Sequence, residues 1–71
     1  MTTVTITTEF IKLQDLLKFE NLVESGGAAK QLIQEGAVAV NGEVCLLRGR
    51  KIRPGDVVHF NGGEYTVVYA D

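Results

Sequence analysis

Four of the seven Lys and Arg residues in this 71-residue chain stand within six consecutive positions, in the stretch "RGRKIRPGD": Arg48, Arg50, Lys51 and Arg53. No acidic residue interrupts the sequence from Val44 to Gly55, yet the whole chain is acidic, with 9 Asp+Glu against 7 Lys+Arg and a formal net charge of −2. A chain that needed only solubility would intersperse its signs. Arg supplies three of the four charges, and its planar guanidinium fork suits phosphate oxygens and guanine edges. Pro54-Gly55 fits the central positions of a type II turn, which would hold the cations beside it in place. A positive stripe on a rigid element is the footprint of nucleic-acid binding. The competing reading is a solvated loop, which is what most charge runs are.

A second candidate lies in "ESGGAAK". Ser25, Gly26 and Gly27 stand at the start of a predicted helix, where glycine costs up to about 1 kcal/mol relative to alanine. Without side chains there, the free amides of the first turn can meet a phosphate closely, and the helix dipole favours the anion. Lys30, one turn further in, points outward towards the same place. The alternative is that Gly26 only permits a tight bend after Leu22-Val23. "SGG" lacks the spacing and the Lys-Ser/Thr ending of a P-loop, so it gives no nucleotide signature.

Little else in the chain suggests chemistry. His59 is the only histidine and falls in a predicted strand. Cys45 alternates with Val44 and Leu46 and reads as a small, buried or half-buried hydrophobe. One Cys and one His are too few for a zinc site. No Ser/His/Asp arrangement stands out, and a domain this small has little room for a substrate pocket of several hundred Å³. No enzyme activity, cofactor, metal or small-molecule substrate is expected. No apolar run approaches the roughly 20 residues of a membrane span. "MTTVTITTEF" lacks the features of a signal peptide. A cytoplasmic protein is expected.

The elements that must position these residues follow from periodicity. "TVTIT", Thr3 to Thr7, alternates as a short strand. Thr8 is expected to cap a helix near 9–19, with Phe10, Leu13, Leu16 and Leu17 on its apolar face and Lys12 and Asp15 off it. Leu22 and Val23 should plug the core from a tight connection. A second helix near 26–35 is capped by Ser25 and stopped at Gly36, with Ala29, Leu32 and Ile33 buried. After Gly36 the period changes from 3.6 to 2. Strands are expected near 37–40, 43–46, 57–60 and 64–69, with Asn41-Gly42 as a type I′ turn and "NGG" closing a second hairpin. The expectation is a single domain over 1–71 of class α+β, two short helices on a small, curled, mainly antiparallel sheet.

The order of these features resembles the S4-type RNA-binding domain, or alpha-L motif, over roughly residues 10–58. Two short helices, "LIQEGAVAVNGEV", basic residues and then Gly55-Asp56 carry the likeness. "LLK" (16–18), "SGGAAK" (25–30) and "RGRK" (48–51) resemble the small free-standing bacterial members of that family, of the YaaA and YbcJ type. The resemblance implies binding of structured RNA, chiefly ribosomal RNA and sometimes tRNA. By position, Lys12 stands where many relatives place an Arg opening the first helix. Ser25 matches the serine at the entrance to the second. Gly26 stands where the wider family usually has Arg, and Lys30 with the amides of Gly26-Gly27 is expected to substitute for it. Arg48, Arg50, Lys51 and Arg53 would supply the rest of the surface. The implied role is a monomeric, non-enzymatic RNA adaptor in ribosome assembly or maturation. The alternative is a protein-interaction module whose basic edge meets an acidic partner.

Overall fold

A computed structural model describes residues 2–70. Its elements run β1 (Thr2–Ile6), β2 (Ile11–Lys12), α1 (Leu13–Phe19), α2 (Gly26–Gln34), β3 (Val38–Val40), β4 (Glu43–Val44), β5 (Lys51–Ile52), β6 (Val57–Phe60) and β7 (Gly63–Tyr69). A five-stranded sheet has the order β1-β7-β6-β3-β4, and β2 pairs with β5 in a separate two-stranded sheet. All pairs are antiparallel except β1 with β7. The α+β class with two helices and a mainly antiparallel sheet is as expected.

The alternation read in the strands is what buries the core. Val4, Ile6, Val38, Val40, Val58 and Val67 face inward from the main sheet and meet Leu13, Leu16, Leu17, Ala29 and Ile33 of the two helices. Leu22 and Val23 pack against this cluster from the helix connection. Leu32, expected in the buried stripe of α2, is only half-buried.

Both helices stop by the same device. In α2 the amides of Gly36 and Ala37 donate to the carbonyls of Ile33 and Leu32, with Gly36 at φ +81°. In α1 the amides of Asn21 and Leu22 donate to Lys18 and Leu17, with Asn21 at φ +57°. Each is a Schellman stop, and Leu22 makes the hydrophobic closure that usually goes with one. The break at "ENLV" is thus built from an asparagine able to take a left-handed conformation. Asn41-Gly42 and Asn61-Gly62 both carry two positive φ angles in succession, the type I′ geometry. Gly55 has φ +98°, and the Asp56 amide donates to the Arg53 carbonyl, as the proposed type II turn requires.

Two expectations are corrected. The first helix does not begin at Glu9 under a Thr8 cap. Thr8 Oγ1 instead donates to the carbonyl of Phe10, and the helix begins at Leu13 after an extended Lys12 with φ −71° and ψ 144°. The strand near 43–46 ends at Val44. Both differences arise because Ile11–Lys12 pairs with Lys51–Ile52 and the Leu13 and Gln14 amides bond to Arg50 and Arg48, contacts between segments remote in sequence.

Candidate nucleic-acid interface

The cluster at 48–53 is a docked edge. Its middle forms β5, with Ile52 opposite Ile11 and Lys51 opposite Lys12. The period of two separates the faces. Ile52 is fully buried and Ile11 packs beside it, while Lys12, Lys51 and Arg53 are exposed. Like charges directly opposite one another destabilise a strand pair, so the Lys12–Lys51 register is unfavourable for folding taken alone.

The carbonyls of the same segment cap α1. The Leu13 amide donates to Arg50 O at 2.9 Å, and the Gln14 amide donates to Arg48 O at 3.1 Å. These bonds satisfy donors that a helix start otherwise leaves open, and they replace the side-chain cap that α1 lacks. The Arg50 amide closes a tight turn onto Leu47 O at 3.1 Å. Phe10 completes the support, with Lys51 Nζ 4.9 Å and the Arg53 guanidinium carbon 5.7 Å from its ring centre. Such cation–π contacts are worth about 0.5–1 kcal/mol at exposed sites. Phe10, assigned to a helix face by its spacing, in fact seats two of the cations. Its position two residues before Lys12 is the only trace of this in the sequence.

A polar clasp fixes the far end of the edge. Asn41 Nδ2 donates to Asp56 Oδ1 at 3.0 Å, the Val57 amide donates to Asn41 Oδ1 at 2.9 Å, and the Arg53 amide donates to Asp56 Oδ2 at 2.8 Å. Two turns distant in sequence, Asn41-Gly42 and Pro54-Gly55, are thereby joined. Partial desolvation pushes the Asp56 carboxyl upward. The Arg53 amide, the Asn41 side chain and the charges of Arg50 and Arg53 outweigh it and hold the group below the usual carboxylate range. The fold therefore favours ionised Asp56. The stability this supplies is fully present above the unfolded value of about 4 and is lost as pH falls through the lower folded value. Thermal melts from neutral to strongly acid pH should show a shallower acid decline for Asp56→Asn than for the unmodified chain. Parallel pH profiles would acquit Asp56.

The structure thus brings Lys12, Arg48, Arg50, Lys51 and Arg53 onto one edge. It places Ser25, Gly26, Gly27 and Lys30 on a separate element, the first turns of α2. Ser25 Oγ accepts from the Ala28 amide at 3.2 Å, as a helix cap should. Among the described residues the amides of Gly26 and Gly27 have no acceptor. Neither glycine has a positive φ. A Cβ at Gly26 would meet nothing within 4 Å, and one at Gly27 only Ser25 Oγ at 3.8 Å. A tight bend therefore does not account for these glycines. Among the described residues, Lys18 alone of the seven Lys and Arg has a carboxylate within 4.0 Å, that of Asp15 at 3.5 Å. Among the described residues, the six cations named for the interface have no ion-pair partner.

His59 lies 3.9 Å from Glu64, on a shallow cleft between β3 and the β6–β7 hairpin. Cys45 is buried, as expected. No helix among the described residues is long and apolar enough to cross a membrane.

Residues 4–68 match the S4 domain family. The chain is 44% identical over 66 residues to the probable ribosome maturation protein RlbA of Bacillus subtilis (strain 168), covering 92% of this chain and 93% of that one. It is 45% identical over 58 residues to the putative RNA-binding protein YbcJ of Escherichia coli (strain K12), covering 82% and 83%. Among solved structures it resembles that of YbcJ from E. coli, described as revealing an alfaL motif involved in RNA-binding. The TM-score is 0.72 at 40% identity, over 96% of this chain and 87% of the other. The 30S ribosomal protein S4e from Thermoplasma acidophilum aligns with a TM-score of 0.67 at 25% identity, over 92% of this chain and 34% of the other.

Proposed function

The chain belongs to the S4 domain family, and from that premise we propose that it is a non-enzymatic RNA-binding protein that recognises structured RNA. Its partner is ribosomal RNA, and its role is that of an adaptor in ribosome assembly or maturation. It acts as a cytoplasmic monomer. The observation that carries this reading is the state of the cations. An acidic protein would find carboxylates for its few positive side chains at little cost. Here, among the described residues, six of the seven Lys and Arg have no carboxylate partner, and five of those six share one edge held by backbone pairing. The names of the relatives RlbA and YbcJ support the same reading.

The mechanism is phosphate neutralisation with shape fit at two places. The edge of Lys12, Arg48, Arg50, Lys51 and Arg53 takes one RNA segment. The entrance to α2 takes another, with the Gly26 and Gly27 amides and Lys30 as donors. Phosphate contacts at both places suit the helical parts of a folded RNA, which are recognised chiefly through their backbone and minor-groove surface.

Co-migration with ribosomal subunits tests the function. The chain should sediment with a subunit and be released when the RNA is digested. Retention after RNase treatment would favour an acidic protein partner instead.

The α2 entrance has its own test. Helical Cβ atoms lean towards the N-terminus, so methyl groups at 26 and 27 would crowd the free amides. Gly26→Ala and Gly27→Ala should raise stability by a few tenths to about 1 kcal/mol. The same changes should weaken RNA binding about tenfold, the loss of roughly one charge-assisted hydrogen bond. Greater stability with undiminished affinity would remove the α2 entrance from the interface.

A further inference from the structure

Beside the basic edge lies an apolar surface that the fold leaves uncovered. Among the described residues, three of the six exposed large hydrophobics fall within four positions: Val44 at 63%, Leu46 at 58% and Leu47 at 69% exposure. Cys45 between them is buried, so the segment is anchored while its neighbours project. The anchoring extends to the tip. The Leu47 carbonyl accepts from the Arg50 amide at 3.1 Å and from Cys45 Sγ at 3.6 Å, and the next carbonyl, that of Arg48, accepts from the Gln14 amide. Leu47 is therefore presented on a fixed turn, directly before the first arginine of the cluster. A fixed turn loses little freedom when it meets a partner.

We propose that Leu46 and Leu47 form an apolar lip that receives an unstacked base of the bound RNA, while Arg48 and Arg50 hold the adjoining phosphates. This rests on the RNA-binding reading and narrows it: the favoured ligand has a bulge, loop or junction rather than an uninterrupted duplex. Charge selects this occupant. No acid lies between Val44 and Gly55, so whatever covers the leucines must also bring negative charge to their immediate neighbours. A protein partner would have to ring an apolar pocket with carboxylates. A nucleotide carries an apolar base face and a phosphate on one covalent unit, which matches Leu47 followed directly by Arg48. In a continuous duplex the base faces are stacked and unreachable, whereas splayed bases in bulges and loops are open to apolar contact.

The test compares two labelled RNA hairpins, identical except that one carries a single-nucleotide bulge. Each is titrated at several salt concentrations with the unmodified chain, with Leu47→Ser and with the double variant Leu46→Ser/Leu47→Ser. Thermal melts check that each variant is folded. The unmodified chain should prefer the bulged hairpin by about tenfold, roughly 1.4 kcal/mol. Leu47→Ser should lose part of that preference and the double variant nearly all of it. The salt slope should not change, because no phosphate contact is removed. Equal affinity of the unmodified chain for both hairpins overturns the proposal, as does a preference that survives in the double variant. Salt-insensitive or absent binding to both hairpins would instead refute the RNA-binding reading beneath it. Loss, in the double variant, of an association with ribosomal particles that resists RNase would assign the lip to a protein and also overturn the proposal.

Discussion

Raising monovalent salt from 50 to 200 mM should weaken binding of this chain to ribosomal RNA by roughly 60- to 1,000-fold, as counterion release predicts. Each phosphate neutralised contributes roughly 0.7–0.9 to the log–log slope. Arg48, Arg50, Lys51 and Arg53, joined by Lys12 and Lys30, give a total on the order of −3 to −5 when not all are engaged at once. The absence of ion pairs at these side chains among the described residues matters here, since a cation already paired with a carboxylate would release fewer ions. Arg50→Ala should flatten the slope by about one contact. It should leave stability within about 0.5 kcal/mol, because the side chain is exposed. The structural duty of Arg50 falls to its carbonyl, which accepts from Leu13 and survives the substitution. Titration of both proteins against ribosomal RNA at several salt concentrations, alongside thermal melts, decides the matter. Equal slopes would reduce the cluster to a solvated edge, and lost stability with an unchanged slope would make Arg50 structural.

Ile52→Ala should be the most damaging single change near the interface. Ile52 is fully buried and lies between two of the cations. Truncating a buried isoleucine costs about 2–5 kcal/mol. A domain of this size has only about 4–11 kcal/mol in total. The thermal midpoint should fall on the order of 10–30 °C. Binding should fall further than the melt alone explains, even where the variant is still folded, because Lys51 and Arg53 lose the strand that sets their face. Ile52→Val, costing about 0.5–1.5 kcal/mol, should keep both fold and affinity. If Ile52→Ala melted like the unmodified chain, the β2–β5 pair would not be anchored by the core as described.

The likeness to the S4 family is carried most specifically by Leu32-Ile33 with Gly36, Val38, Val40-Asn41-Gly42 and Gly55-Asp56, and the structure gives a physical reason for the pairing of Val40-Asn41-Gly42 with Gly55-Asp56. Asn41 and Asp56 bond to each other across two turns, so either motif without the other would leave polar groups unmatched. The sequence displayed both halves of this clasp, but nothing in the local pattern joined them. Phe10 is a similar case. Its spacing with Leu13 and Leu17 suits a helix face, and only the pairing of Ile11–Lys12 with Lys51–Ile52 turns it into a seat for Lys51 and Arg53.

Short-range rules made much of this protein legible from its residues. The left-handed positions Gly36, Asn41, Gly42 and Gly55, the Ser25 cap, the apolar stripe of Leu13, Leu16 and Leu17, and the alternation at Val38 and Val40 all depend on neighbours within a turn or two of chain. The density of positive charge at 48–53 needed no structure to be seen. What only the tertiary structure decided is how that charge is held. β2 and β5 have two residues each, too few for a period to register, and their partner segments are far apart in sequence. Their pairing draws Lys12 to Lys51, starts the first helix at Leu13 rather than at Glu9, and leaves Leu46 and Leu47 facing outward. The parallel union of β1 with β7 is likewise a long-range choice. Such pairings are fixed by which apolar side chains can be buried together, as Ile52 and Ile11 are, and that depends on the whole fold rather than on the residues beside them.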